Sequence, residues 1–560
     1  MINVNIGRYN EKRKDDIYLF SYSFIDSIED QKIILSNIKN YTPIALTQGE
    51  IVDKHLTSIY LYEQCLEEIS KHLNTHYQKT FSNFYWHLIS CTWLSRTIVM
   101  IVDRWIKLKK FNQNDMVYKS NIFLHYEIEK QNFDDYRYYS CFSDYNYFIN
   151  SKILSEMKFN NWELTFDNQY FPMKKTNPWA DSNKQRDFRK INLGGFGPWE
   201  CKIINFFSGK VKNNLNHIKK NFNPTSLGEE ILGTLKLLDW IKTILPTDFY
   251  SNQLIKTMFI SPHSPEKILL GTFSGGEISQ NIAIANIVEK NQCKLILTQH
   301  GSAYVDAFTT TTNYLREYAY NNFISWGPKD HKLHPPYQMI SLPSPVFAKI
   351  RLRRILSAKS KKIIFASTAI FVKDGNGAST IHADHVNLFY QFMRDFIGQA
   401  LNSSFQHRFY FRPRLTHTLG SFQFRQFITE EFPNLNCITS ANITPELGKA
   451  DLVVVDNIGS ILHKCLAANT PTIILWPKDS NLFIGELDSV FEILKQEKVL
   501  FHNVNDAISH IENIHKNIDR WWQGKKIQQA RKQFVKTICP VDYLYLFKWL
   551  NIMKKFRTQT

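Results

Sequence analysis

No stretch of this chain approaches the ~18–20 consecutive apolar residues that a membrane-spanning helix needs. The longest apolar run, Thr97–Val102, is flanked by Arg96 and Asp103. The opening residues, MINVNIGRYNEKRKDD, have no apolar core and do not read as a signal peptide. Cysteine is sparse: eight residues, Cys65, Cys91, Cys141, Cys201, Cys293, Cys437, Cys465 and Cys539, lie scattered with no CxxC pair. Free thiols in a reducing cytoplasm are the expected state. Several catalytic signatures are missing as well. There is no HExxH, no DxD at a strand end and no Cys/His cluster at ligand spacing, so no metal site is expected. A GxSxG elbow, a P-loop, low-complexity tracts and internal repeats are also absent.

What is present is a globular composition rich in rings, 43% hydrophobic and 14% aromatic. At 560 residues the chain is too long for one core, and roughly two to four domains are expected. The net charge of +17 and pI near 9.2 favour acidic partners such as nucleic acid, anionic lipid heads or anionic sugar nucleotides. The lysines and arginines are spread along the chain and no nucleic-acid motif is visible, so nucleic acid is not expected as a partner.

The organising stretch is Asp451–Pro477, DLVVVDNIGSILHKCLAANTPTIILWP. Leu452–Val455 is a short apolar run dominated by β-branched residues and reads as a buried parallel strand. Asp456–Ser460 is a turn, and Ile461–Ala468 has helical apolar spacing. Pro471 forbids continuation, and Thr472–Trp476 is a second buried strand. The result is a βαβ unit with a right-handed crossover. Its turn lies at the carboxyl end of a strand, where open α/β sheets bind ligands. Gly459 permits close backbone approach, Ser460 can cap the helix, and the helix start suits a phosphate.

Taken in order, Asp16–Phe24 reads as a strand, Ser58–His72 and Phe84–Leu108 as helices, and Val117–Glu127 as a strand. Asp103 and Arg104 are expected to lock the second helix against its neighbours. From about 130 to 222 there is little periodicity. The cluster Gly194–Pro198 reads as a turn, with no helix opening at its end. Ser226 and Glu229 form a capping box before a helix over Glu230–Leu245. Leu269–Thr272 and Lys294–Thr298 read as strands joined by a helix over Ile278–Lys290, and Asn322–Ser325 as a last strand closing this half at Trp326-Gly327. The proline-rich stretch Pro328–Ser357 reads as a linker. A second sheet begins at Lys361–Ala366 and continues through Arg408–Phe411 to the βαβ unit. Helices follow over Asn505–Asn517, Trp521–Thr537 and Asp542–Lys555. The expected division is 1–335, a linker 336–357, 358–540, and a C-terminal segment 541–560 packing back.

Two Rossmann-like halves joined this way face a cleft with their strand ends. On one side stand Gln299, His300 and Gly301, where His300 is placed as a general base. On the other stand Ser367, Thr368, Arg412, Arg414, Asn457, Gly459 and Ser460; the arginines suit bidentate contact with phosphate or carboxylate.

The segments LTQHGSAY, Glu317 with FISWG, FRPR and DNIGSILHKCLAANTPTII, with the aromatic YWHLISCTWLSRTIVMIVDRW, resemble a family of transferases from bacterial surface-carbohydrate clusters. That family is similar in turn to GT-B glycosyltransferases, nonulosonic-acid transferases and CDP-glycerol polyol-phosphate transferases. The resemblance implies an α/β GT-B fold, two Rossmann-like domains with helical N-terminal additions and C-terminal helices. It also implies His300 as base, donor phosphate at Gly459-Ser460, and Gln299, Gly301, Ser302 and Glu317 on the acceptor side. Arg414 and Leu415 stand where related enzymes have His-Pro, with His417 close by. Lys464 stands nearest the place of their ribose-binding acid. The implied reaction is metal-independent and cofactor-free transfer of a sugar, an acidic CMP-activated nonulosonic type first, from a nucleotide-sugar donor to a glycan or lipid-linked glycan of the cell surface, such as lipopolysaccharide. The setting would be the cytoplasm, in peripheral contact with the inner membrane. A CDP-glycerol-type transferase and a non-catalytic nucleotide-sugar or glycan-assembly binding protein are the alternatives.

Overall fold

Buried β-branched and aromatic runs at strand spacing give three parallel sheets in succession along the chain. The computed structural model describes residues 1–36, 38–112, 116–124, 143–168, 196–207, 223–250, 269–271, 278–291, 295–301, 311–327, 338–368, 385–414, 422–440, 442–478 and 487–558. The first unit holds β1 (Ile2–Asn5), β2 (Ile17–Tyr18), α1 (Ile28–Leu35), α2 (Gln48–Tyr77), α3 (Asn83–Phe111), β3 (Tyr118–Ile122), α4 (Ser143–Met157), β4 (Trp162–Phe166) and α5 (Pro198–Phe207). Its strands pair in the order β2-β1-β3-β4, all parallel. This sheet accompanies the helical additions expected from sequence, which are present as α2 and α3. Two of its strands lie within expected ones, β2 inside Asp16–Phe24 and β3 inside Val117–Glu127, whereas β1, INVN, and β4, WELTF, are too short and polar to advertise themselves.

The long helices follow from clear signals. Thr47 and Glu50 form a capping box at the start of α2, each bonding the other's backbone N–H. Ser82 caps α3 by accepting from the Tyr85 N–H at 3.1 Å. Inside α3, buried Asp103 receives Lys54 from α2 at 2.7 Å, Arg104 at 2.6 Å and Lys107 at 3.1 Å. The expected charge lock therefore exists and joins the two helices.

The second unit follows with α6 (Ser226–Leu235), α7 (Leu237–Thr243), β5 (Leu269–Gly271), α8 (Ile278–Asn291), β6 (Leu295–Thr298), β7 (Asn322–Ser325) and β8 (Gln338–Ser341). The sheet order is β5-β6-β7-β8. Two expectations change here. Thr225, not Ser226, is the cap, accepting from the Gly228 N–H at 3.0 Å, and the helix breaks at left-handed Lys236 (φ 45°). The half does not close at Gly327, because β8 from the supposed linker adds a fourth strand. The rest of that linker is helical, since Ser344 caps α9 (Pro345–Leu356) with proline in its first turn.

The third unit contains β9 (Ile363–Ala366), α10 (Val386–Leu401), β10 (Phe409–Arg412), α11 (Phe424–Glu431), α12 (Thr444–Lys449), β11 (Leu452–Val455), α13 (Ser460–Ala468), β12 (Thr472–Leu475), α14 (Asp488–Gln496), β13 (Leu500–Phe501), α15 (Val504–Ile514), α16 (Ile518–Trp522) and α17 (Lys525–Ile538). Its order, β10-β9-β11-β12-β13, is the doubly wound pattern whose switch point lies between β9 and β11.

A final helix, α18 (Tyr545–Thr558), lies over the second sheet. Trp549, Met553 and Phe556 pack with Ile204, Ile296, Ile324 and Leu342, and the Trp549 indole donates to the Pro343 carbonyl at 3.0 Å. α5 belongs to this cluster. It opens at Pro198, against the expectation that no helix follows the glycine cluster, and its buried Glu200 accepts from the Gly197 N–H and from Lys349.

Candidate functional site

β6 ends at Thr298, so the next side chains emerge at the carboxyl edge of the second sheet. Gln299 is buried and fully engaged. Its N–H donates to the Ile324 carbonyl at 2.9 Å, its amide oxygen accepts from the Trp326 N–H at 2.8 Å, and its amide nitrogen donates to the Gly301 carbonyl at 2.7 Å. It ties the ends of β6 and β7 to the loop that carries His300. His300 is 36% exposed at its side chain, and its Nε2 lies 3.6 Å from Glu317 Oε1. Glu317 is wholly buried in a π-helical turn, Tyr314–Tyr318, and also receives Arg316 at 2.8 Å. Burial pushes its carboxyl upward, but the neighbouring His300 and the Arg316 charge outweigh this and hold it below the ordinary range. Gly301 adjoins open space, where an added Cβ would meet nothing within 4 Å. Ser302 lies outside the described residues.

The second cluster sits at the β9/β11 switch point. Register places Arg412 beside Ala366 and Ala366 beside Val455, so the residues that follow leave three adjacent strands at one level. Asp456, buried after the all-apolar β11, draws them together. It accepts from the Ser367 hydroxyl at 2.7 Å and from the Thr368 N–H at 3.0 Å. Asn457 donates to the Thr368 hydroxyl at 3.2 Å. Burial raises the Asp456 carboxyl from its ordinary 3.8 to about 7, against the opposing pull of these donors. Gly459 is the N-cap of α13 and Ser460 its first residue, so Ser460 does not cap the helix as expected. A side chain at Gly459 would press on Asn457 at 3.0 Å. The first N–H groups of α13 precede its hydrogen-bond ladder.

Arg412 is buried at the end of β10, with one nitrogen donating to the Pro413 carbonyl at 2.6 Å, whereas Arg414 is exposed. Lys464 donates to the Thr444 hydroxyl at 3.3 Å, and burial lowers its pKa. Leu415 and His417 lie outside the described residues.

The two clusters are physically bridged. Trp326, held by Gln299, precedes Gly327, whose Cα lies so near α17 that an added Cβ would be 2.6 Å from the Ile538 carbonyl oxygen. Cys539, next in the chain, contacts the His463 carbonyl at 3.6 Å, in the first turn of α13. The residues missed from sequence are Asp456, Arg316 and Trp326. Only Asp456 carried a signal: a lone carboxylate directly after four apolar strand residues.

Three parallel sheets in succession, the last of them doubly wound, with polar clusters at the strand ends of the second and third, define an α/β protein. Residues 11–225 and 211–540 match the LIC12162 family transferase description. The chain belongs to that family and is a transferase. No curated protein matches the sequence. Among solved structures it is similar to a glycosyltransferase from Rickettsia africae ESF-5, at 12% identity and TM-score 0.32, covering 60% of this chain and 89% of that one. It is similar to the wall teichoic acid polymerase TagF at 12% and 0.30, covering 54% and 86%. A Thermobaculum terrenum O-GlcNAc transferase follows at 10% and 0.26, covering 61% and 62%. The family match, not these distant likenesses, assigns the chain. Among the described residues no helix is long and apolar enough to cross a membrane.

Proposed function

We propose that the protein transfers a sugar from a nucleotide-sugar donor to a surface glycan or lipid-linked glycan, with an acidic CMP-activated nonulosonic-type sugar as the first choice of donor. The observation that carries this reading is the half-exposed His300 against the buried, ionised Glu317 at a strand end. His300 takes the acceptor hydroxyl proton, and Glu317 stabilises the imidazolium that forms. The departing phosphate is held by the start of α13 at Gly459-Ser460, with Arg412 and Arg414, while Ser367, Thr368 and Asn457 line the switch-point crevice. Gln299 acts on the acceptor side by fixing the His300 loop, and Gly301 and Ser302 lie along it. No metal takes part, and the work is done in the cytoplasm at the inner face of the inner membrane.

The test is a pair of measurements on one preparation of His300→Ala. As base, its loss lowers kcat about 10²–10⁴-fold while donor affinity and Tm stay near wild type. A folded variant with normal turnover rules the mechanism out. Activity is also expected to survive EDTA; loss on chelation with recovery on Mg²⁺ or Mn²⁺ would show that a metal site takes part.

A further inference from the structure

Three helices that meet at one point leave apolar side chains in solvent. α5, α9 and α18 converge on a buried carboxylate, Glu200, which accepts from Lys349 of α9 at 2.8 Å and from the Tyr545 hydroxyl of α18. Phe196, just before α5, packs on Trp549 with ring centres 4.9 Å apart, and Lys349 lies over the Tyr545 ring at 6.0 Å. The inward face of α18, with Trp549, Met553 and Phe556, covers the second sheet. The outward faces are not polar throughout, as solvated faces would be. Trp199 and Phe206 of α5, Leu352 and Leu356 of α9, and Leu544 and Phe547 at the head of α18 are between 43% and 80% exposed.

Their spacing makes stripes. Trp199, Lys202 and Phe206 stand at i, i+3 and i+7, as do Lys349, Leu352 and Leu356, and Phe547 is followed seven residues later by Lys554. Each stripe therefore follows one face of its helix, and that of α9 begins at the lysine that meets Glu200. The charge on these helices has one sign. Their sequences hold nine lysines and arginines and one acid, the buried Glu200. That excess of eight is nearly half of the chain's net +17. Clustered exposed apolar side chains mark a protein or a membrane contact. The lysines decide between them. Protein interfaces are depleted of lysine, whereas helices that lie in a bilayer surface combine Trp, Phe and Leu with lysines that meet anionic headgroups. A nucleic-acid backbone would take the cations and leave the leucines in water.

We propose that α5, α9 and α18 form a docking face for an anionic bilayer. Trp199, Phe206, Leu352, Leu356, Leu544 and Phe547 enter the headgroup region, and Lys202, Lys554 and Lys555 meet lipid phosphates. The inference rests on the membrane setting proposed above and adds the surface that makes the contact. α18 backs β6 and β7 through Ile296 and Ile324, so docking holds to the membrane the sheet from which His300 emerges.

The test is vesicle flotation of the full chain, with Tm and sedimentation velocity on the same preparations. The vesicles are phosphatidylcholine alone, or phosphatidylcholine mixed with phosphatidylglycerol. The variants are Leu544→Ser/Phe547→Ser and Lys554→Gln/Lys555→Gln. Lys71→Gln/Lys526→Gln, which removes as much charge from exposed positions on α2 and α17, is the control. Wild type should float with the anionic vesicles and bind the neutral ones at least roughly tenfold more weakly. The first two variants should bind anionic vesicles about 10–100-fold more weakly with Tm unchanged, and the control should bind as wild type. Undiminished anionic binding in Leu544→Ser/Phe547→Ser, or an equal loss in the control, overturns the docking face and leaves the membrane setting standing. A wild-type dimer that this serine variant turns into a monomer, without vesicles, shows that the face joins two copies and also overturns the proposal. A wild-type chain that floats with neither vesicle overturns both the face and the membrane setting.

Discussion

Asp456 shows how one buried residue can draw two strand ends together. Its position after β11 buries it, and it accepts from the Ser367 hydroxyl and the Thr368 N–H. Burial raises its pKa to about 7, whereas in the unfolded chain it titrates near the ordinary 3.8. Between those values the folded chain holds a proton that the unfolded chain has lost. Its contribution to stability therefore falls as pH rises across that window, by at most about 1.4 kcal/mol per pH unit. Asp456→Asn cannot ionise, so its Tm should decline less than wild type between pH 5 and 7. Parallel Tm-against-pH curves would mean that Asp456 is ionised throughout.

At the scale of elements, α3 is the clearest case of a helix fixed by charge inside an apolar setting. Asp103 pairs with Lys54, Arg104 and Lys107, all of them buried, and Arg104 stacks over Phe20 and Tyr22 at 4.8 and 4.9 Å. The same helix packs on α8 of the second unit, with Tyr85 donating to Asn286 at 3.2 Å. Asp103→Asn keeps the shape and removes the charge. It should cost about 3–5 kcal/mol, because buried cations lose their counter-ion. A urea midpoint close to wild type would show that other groups carry the neutralisation.

For the whole molecule, the contact between Gly327 and α17 matters most, since it joins the second unit to the third beside both strand-end clusters. The obstructing atoms are backbone carbonyls, Ile538 at 2.6 Å and Thr537 at 2.7 Å, which cannot swing aside as a side chain would. Gly327→Ala should therefore destabilise by about 1–3 kcal/mol. Displacing α17 also loosens the link through Cys539 to α13, so donor affinity should weaken with stability. A Tm equal to wild type would mean that the units part at little cost.

The amino-acid sequence by itself determined the βαβ unit from Leu452 to Leu475, the strand Asn322–Ser325 and the two long N-terminal helices. In each, apolar spacing suits the element that forms, and at the βαβ helix Asn469 and Pro471 stop it, so local energetics suffice. His300 and the Ser367–Gly459 set could be named from strand ends because parallel sheets put ligands there. The first sheet was legible only in part: β2 and β3 fall within expected strands, but β1 and β4 mix polar and apolar residues and are held by pairing with strands far along the chain. Tertiary structure alone made Asp456 the centre of its cluster and set Glu317 behind His300. These contacts join residues from separate elements, and no local pattern of charge or hydropathy encodes which of them will meet.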